Sequence, residues 1–336
     1  MLPPKICEPV AVRDVVVIGC SAGGVEALPR LLQQLPGDFG AQVLIVQHLA
    51  VSGTGYLVEI LQRSSRLPVT WAEQGAAIGR GQVMVAPPDT HLLCADGHVM
   101  LTKGPRENRA RPSIDKLFRS AAATCGSRVV GVLLTGMLDD GVAGLRAIQQ
   151  AGGTVVVQDP IDAAFPELPA RALQALRPDR TLPLDAIGGA LLEIVGQPVS
   201  PIPVPAPLVV EAEIDRRTEV TPADMNAAWT QTALACPECH GPLWQLGDAA
   251  LRRYRCYLGH AVTARELLAA SEVEVGAALW SAVRALGDRA ATLETLAEDA
   301  ERRSGEAAQV YAAHAREARE HADLVRRFVL DMQRRM

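Results

Sequence analysis

Four side chains and one Cys/His group have types and spacings that could do chemistry. Ser21 lies in Gly19-Cys20-Ser21-Ala22-Gly23. That turn fits G-x-S-x-G, which presents a serine hydroxyl between a strand and a helix. It fails the dinucleotide pattern G-x-G-x-x-G, because Ser21 stands where the middle glycine belongs. A serine attacks a carbonyl only if a base takes its proton and a third group orients the base. His48 and the pair Asp139-Asp140 supply those types. Separately, Cys236-Pro237-Glu238-Cys239 and Cys256-Tyr257-Leu258-Gly259-His260 have the spacing of a closed structural zinc site, Cys236, Cys239, Cys256 and His260. Thiolate softness favours Zn²⁺ over Mg²⁺ or Ca²⁺. His240 is an alternative fourth ligand, but the spacing favours His260. A redox dithiol would need a thioredoxin-like context, and none surrounds this C-x-x-C.

The elements that must position these residues come next. Val15–Ile18, Gln42–Val46, Val69–Ala72, Gln82–Ala86, Val129–Leu134 and Thr154–Gln158 read as strands. They alternate with helical spacings over Val25–Leu35, Gly55–Gln62, Ser113–Thr124, Val142–Ala151 and Pro169–Leu176. Such alternation predicts an α/β fold with a doubly wound, mostly parallel sheet. His91–Cys94 and Val99–Leu101, joined through Asp96-Gly97, read as a β-hairpin insertion. Ser21, His48 and Asp139-Asp140 then all fall just beyond carboxyl ends of parallel strands, where doubly wound folds build their sites. Their order, Ser…His…Asp, is not that of the α/β-hydrolases. Pro29 sits past the first turn of its helix, where it should kink it.

Residues 12–197 are expected to form the α/β domain. Residues 198–231, opening with alternating prolines, are expected to be an extended linker. A zinc-ribbon-like segment over 232–262 follows. Residues 263–336 show heptad spacing in two runs, interrupted at Arg302–Gly305, and predict an antiparallel α-helical hairpin. The chain has 336 residues, 49% of them hydrophobic, and a net charge of −5. That charge argues against nucleic acid or an anionic membrane as the main partner. Met1–Pro9 has no apolar core of a signal peptide and no run is long enough to span a bilayer, so a cytoplasmic protein is expected. The seven cysteines, an odd number, argue against a disulfide framework. Cys7, Cys20, Cys94 and Cys125 read as small apolar fillers or incidental thiols.

Several segments together resemble the catalytic domain of CheB-type protein-glutamate methylesterases, the chemoreceptor demethylases. They are Gly19-Cys20-Ser21-Ala22-Gly23-Gly24, Gln47-His48, Ala86-Pro87-Pro88-Asp89-Thr90-His91-Leu92, Arg111-Pro112-Ser113-Ile114-Asp115-Lys116-Leu117-Phe118, Leu134-Thr135-Gly136-Met137 through Asp139-Asp140-Gly141, and Gln158-Asp159-Pro160 through Pro169. The resemblance covers about residues 13–197. It implies Ser21 as nucleophile, His48 as base and Asp140, the acid next to the glycine, as orienter. It implies an oxyanion site at the Met137 amide, helped by that of Ala22. The implied reaction is hydrolysis of glutamate γ-methyl esters on the cytoplasmic helices of methyl-accepting chemoreceptors, releasing methanol, with glutamine deamidation in some members. No cofactor is implied for catalysis. In the resembling family Arg106, Arg109 and Arg111 would border the substrate cleft, where an acidic helix is attracted to them. Two departures stand out. Leu138 occupies a position where many members have glycine. Only about twelve residues precede the first strand, so the chain looks like a receiver-less form. The Cys/His segment and hairpin are not part of the basic catalytic domain and are expected to dock a receptor or signalling protein. The competing reading is a non-catalytic signalling adaptor on the same fold.

Overall fold

The computed structural model describes residues 11–49, 56–217, 220–247, 251–301 and 305–335. Expectations for Met1–Pro9, Cys7, Gly55 and residues 302–304 lie outside the described residues. The first strand, β1 (Val15–Cys20), is buried at every position. A strand apolar on both faces needs cover on both, and helices supply it. Chain order continues α1 (Gly24–Leu32), β2 (Gln42–Gln47), α2 (Leu57–Ser64), β3 (Val69–Trp71) and β4 (Gln82–Val85). A hairpin, β5 (His91–Ala95) and β6 (His98–Thr102), turns at Asp96-Gly97, both at positive φ. Then come α3 (Ile114–Cys125), β7 (Val129–Leu133), α4 (Val142–Gln150) and β8 (Thr154–Gln158). The domain closes with α5 (Glu167–Ala175), β9 (Arg180–Leu182) and α6 (Leu184–Ile194). Strand β9 and helix α6 were not among the expected elements. Pro29 lies inside α1, which still continues to Leu32.

The seven strands run β3-β4-β2-β1-β7-β8-β9, every pairing parallel. Alternate residues feed two cores. Val16, Ile18, Val43, Ile45 and Val132 pack with α1 and α6. Val15, Val17, Leu44 and Val46 pack with α3 and α4. Gly19 permits α3 to sit tightly on β1, since a Cβ there would come within 2.2 Å of Ile114 Cγ2.

Residues 198–231 depart from the expectation of an extended linker. They hold α7 (Ala206–Arg216) and α8 (Pro222–Ala228). Pro205 is the N-cap of α7, and Pro207 falls in its first turn, where no amide hydrogen is required. Pro222 begins α8 behind a Thr221–Asp224 capping box. The proline run therefore starts a helix instead of preventing one. The Cys/His segment is a four-stranded antiparallel sheet, β10 (Thr230–Ala235), β11 (Pro242–Leu246), β12 (Arg253–Cys256) and β13 (Ala261–Thr263). Ile214, Met225, Trp244 and Leu246 form its small core with α7 and α8.

The sheet and α7 meet α3 through buried charge. Arg119 donates to both oxygens of Glu107 (2.9 and 2.6 Å) and to Asp215 (2.8 Å). Arg253 donates to both oxygens of Glu211 (2.8 and 2.9 Å), and Arg255 to Asp215 (2.7 Å). Lys116 Nζ lies 3.5 Å from Asp215. All seven residues are buried. Burial alone would raise the Asp215 carboxyl, yet Arg119, Arg255 and Lys116 hold it well below the usual carboxylate range.

The remaining unit, Arg265–Met336, consists of two long helices, α9 (Ala264–Glu301) and α10 (Gly305–Arg335). The expected seam is present, with Val283 and Ala290 buried on one helix and Ala308, Ala315, Ala318, Ala322 and Val329 on the other. An Arg319–Glu294 ion pair at 2.6 Å fits an antiparallel pairing. No helix among the described residues is long and apolar enough to cross a membrane.

Candidate active site and metal centre

Three adjacent strands end at one rim. Cys20 pairs with Gln47 at the ends of β1 and β2, and Gly19 with Leu133 of β7. Ser21 and His48 therefore leave their strands at the same level. The Ser21 N–H donates to Thr135 O (3.1 Å) and the His48 N–H to Cys20 O (3.1 Å). Gln47 joins the two segments, donating from Nε2 to both Ser21 O and His48 O at 2.8 Å. The Cys20 thiol donates to Gln47 Oε1 (3.1 Å), and burial pushes that thiol far up, so it stays protonated.

His48 Nδ1 lies 3.1 Å from Ser21 Oγ, and Nε2 lies 2.7 Å from Asp140 Oδ2. These partners assign the tautomer. Asp140 accepts from Nε2–H, leaving Nδ1 to accept from the serine hydroxyl. The imidazole retains some exposure, while Asp140 is buried.

Asp140 precedes α4 and reads most plainly as its cap, but the cap is Gly141, with no side-chain bond. Its carboxylate turns instead to α3, accepting from the Ile114 (2.7 Å) and Asp115 (3.2 Å) amides and the Ser113 hydroxyl (2.9 Å). Asp115 answers by accepting from the Gly141 (2.9 Å) and Gly144 (2.6 Å) amides of α4. Each helix thus places a carboxylate at the positive end of the other. Asn108 bridges the pair, donating to Asp115 Oδ2 (2.9 Å) and Asp140 Oδ1 (3.0 Å). Burial works to raise Asp140, but the His48 hydrogen bond and charge, with the Ile114 amide, bring it below its ordinary value. Asp115 goes the other way, raised by burial and then by the Asp140 and Glu107 charges.

Among the described residues, no hydrogen bond uses the Ala22 or Met137 amide. The Ser21 amide is engaged by Thr135 and cannot serve. Gly136 is held against the nucleophile; a Cβ there would lie 2.9 Å from Ser21 Cβ and 2.7 Å from Leu168. Leu138 has φ +65°, the left-handed region that glycine occupies without strain. The rim beside Ser21 is apolar, with Met137, Leu138 and Phe165 exposed.

The three arginines separate. Arg111 is tied to Asp89 (2.8 Å) and to the Lys103 and Gly104 carbonyls. Arg106 and Arg109 are exposed. His91 is buried, accepting from the Ser113 amide and donating to Pro105 O. Burial, then Lys116, pushes it down to about 3, so it is neutral. Gln47, Asn108 and Asp115 were assigned no role from the sequence.

Cys236, Cys239, Cys256 and His260 place one ligand atom each within 4.8 Å of the others. Cys239 Sγ is 3.7 Å from Cys256 Sγ, and Cys256 Sγ is 3.5 Å from His260 Nδ1. A tetrahedral zinc with bonds of about 2.3 Å separates its sulfurs by roughly 3.8 Å, so the donor set fits that ion. His240 is exposed and stands outside the group.

Residues 16–191 match the family model described as CheB methylesterase. A protein-glutamate methylesterase/protein-glutamine glutaminase of Anaeromyxobacter dehalogenans is 42% identical over 181 residues, 54% of this chain and 53% of that protein. A Leptospira interrogans relative, described by the same pair of activities, is 38% identical over 54% of this chain and 94% of its own length. The chain thus spans about half the length of the first relative and nearly all of the second. The crystal structure of the Thermotoga maritima CheB methylesterase catalytic domain superposes with a TM-score of 0.52. It is 34% identical and covers 54% of this chain and 98% of that domain.

Proposed function

From a chain that belongs to the CheB methylesterase family, we propose a serine hydrolase that cleaves glutamate γ-methyl esters on chemoreceptor helices. The relay of hydrogen bonds from Ser21 through His48 to Asp140, 3.1 and 2.7 Å long, carries this reading. Ser21 Oγ attacks the ester carbonyl while Nδ1 of His48 takes its proton. Asp140 holds Nε2–H and stabilises the imidazolium that forms. The carbonyl oxygen becomes an oxyanion facing the unengaged Ala22 and Met137 amides. The imidazolium returns its proton to the departing methoxide, which leaves as methanol. Water, deprotonated by the same nitrogen, then releases glutamate and restores the serine. A glutamine side chain would follow the same course and leave ammonia. The reaction needs no cofactor.

The apolar rim of Met137, Leu138 and Phe165 suits the methylene and methyl groups of the ester. Arg106 and Arg109, both exposed, would attract an acidic receptor helix, whereas Arg111 is occupied in holding its own loop. Zn²⁺ at Cys236, Cys239, Cys256 and His260 would close the small sheet. The hairpin α9–α10 is assigned to a signalling partner.

Methanol release from methylated receptor tests the enzyme. Ser21→Ala should lower the rate by about 10³-fold or more. Equal rates for both proteins would leave only the adaptor, for which an assembled proton relay has no use.

A further inference from the structure

We propose that the Cys/His sheet is a wall of the reaction centre, and that a soft divalent metal in it sets the position of Asp140 through Asn108. This rests on the hydrolase reading above, in which Asp140 is the acid of the relay.

The path is short and fully hydrogen-bonded. Two of the four ligands, Cys256 and His260, bracket the turn between β12 and β13, and the Cys256 amide donates to His260 O (3.0 Å). A metal held there fixes how β12 and β13 meet. Residue 261, next to the histidine ligand, touches the catalytic domain directly. The Asn108 amide donates to Ala261 O at 2.7 Å. Strand β12 reaches the same turn through Arg253, 3.4 Å from Glu107, while Arg255 ties the strand to Asp215 of α7, which also holds Arg119. At the far end of β13, Thr263 donates to Asp139 Oδ2 (3.3 Å). The sheet therefore contacts the residue before Asp140 and the turn that holds Asp140.

That turn does not rest in a relaxed conformation. Asn108 and Arg109 both lie at positive φ, 50° and 59°, between the paired backbones of Glu107 and Ala110. Asparagine tolerates this region, but arginine does so only under constraint. With β12 and β13 displaced, the turn loses its backbone partner at Ala261 and the Glu107 carboxylate loses Arg253. Asn108 would then leave Asp140 Oδ1 with one donor fewer, and the imidazole partner would lose its fixed direction. Asn108 acts through Asp140 and does not meet substrate, so it is a positioning residue. Displacements of about 1 Å in such a shell cost on the order of 10²-fold in rate.

The test uses the full chain with zinc as the probe. Metal content, hydrogen exchange over residues 104–112, and kcat and KM on a peptide glutamate γ-methyl ester are measured before and after chelation. One zinc per chain is expected as isolated. Stripping it should lower kcat by about 10-fold or more, leave KM within about 2-fold, and raise exchange over 104–112. Added zinc should reverse all three. Asn108→Ala should lower kcat by a similar factor while keeping its zinc and its exchange pattern outside the turn. A chain that binds no zinc, a zinc-free chain with unchanged kcat and exchange, or Asn108→Ala with wild-type kcat would each overturn the proposal and leave a Ser21-dependent activity standing. Loss of the hydrolase reading would look different. Methanol release would then be independent of Ser21, and exchange over 104–112 would still report whether metal orders the turn.

Discussion

Helix α3 is covered on both sides, but by opposite kinds of contact. Toward the parallel sheet it presents Ile114, Leu117, Phe118 and Ala121 to β1 and its neighbours. Away from the sheet it presents Lys116 and Arg119 to Glu107 and Asp215, carboxylates that the arginines of β12 share. The apolar side gains from water exclusion alone and tolerates any partner of suitable shape. The ionic side gains little net stability, because desolvation offsets most of the attraction. Each charge there needs its own partner, so the additional sheet can dock in one register only. We read the first contact as making the domain and the second as aligning an added part with it.

Breaking one partner on the ionic side should have the largest effect. Arg119→Met leaves Glu107 and Asp215 buried without their main cation and should cost about 3–5 kcal/mol. Urea unfolding measures it; a cost below about 1 kcal/mol would mean that water already reaches this interface. On the apolar side, Leu117→Met nearly keeps volume and apolar character and should cost less than about 1.5 kcal/mol in the same experiment.

Acid should separate the two sides. The Glu211 and Asp215 carboxyls are buried, which alone would raise them, but Arg119 and the β12 arginines leave both lowered. Their stabilisation is complete above the ordinary carboxylate pKa of about 4. It is lost as pH falls through their lower folded values. Exchange at residues 230–263 should therefore rise on acidification before exchange at Val129–Leu133 does. Simultaneous loss would show that the apolar core depends on the ionic face. Asp115 has the opposite sign. Its folded value is raised, so its contribution is present at low pH and lost as pH climbs past the usual carboxylate range.

The smallest expected change lies at the rim. Leu138→Gly removes a left-handed leucine and should stabilise the fold by about 1 kcal/mol or less, since glycine's extra unfolded freedom offsets part of the relief. A thermal shift checks it, and a destabilised variant would mean that the exposed leucine has a packing role.

Ser21, His48 and Asp140 could be read from sequence because each follows a run of branched apolar residues that can only be a buried strand. Strand order then did the rest. Glu211, Asp215, Arg253 and Arg255 could not, because a charged residue in sequence looks like surface until its partner is placed. The prolines at 201–207 misled for a local reason. Their effect depends on whether they fall in the first turn of a helix or its middle, and spacing alone does not say which. Asn108 was hidden because its partners come from separate elements, Asp115 from α3 and Asp140 from the turn before α4.

The exchange of carboxylates between α3 and α4 has a practical consequence for anyone screening inactive variants. On the proposed mechanism, replacing residue 140 removes the acid of the relay and the anion at the start of α3 together, so dead enzyme and poorly folded enzyme would be recovered as one phenotype. Nor can the acid be handed to its neighbour. A chain with Asn at 140 that relied on Asp139 would leave the start of α3 without its anion. Chemistry and architecture are therefore inherited here through a single side chain.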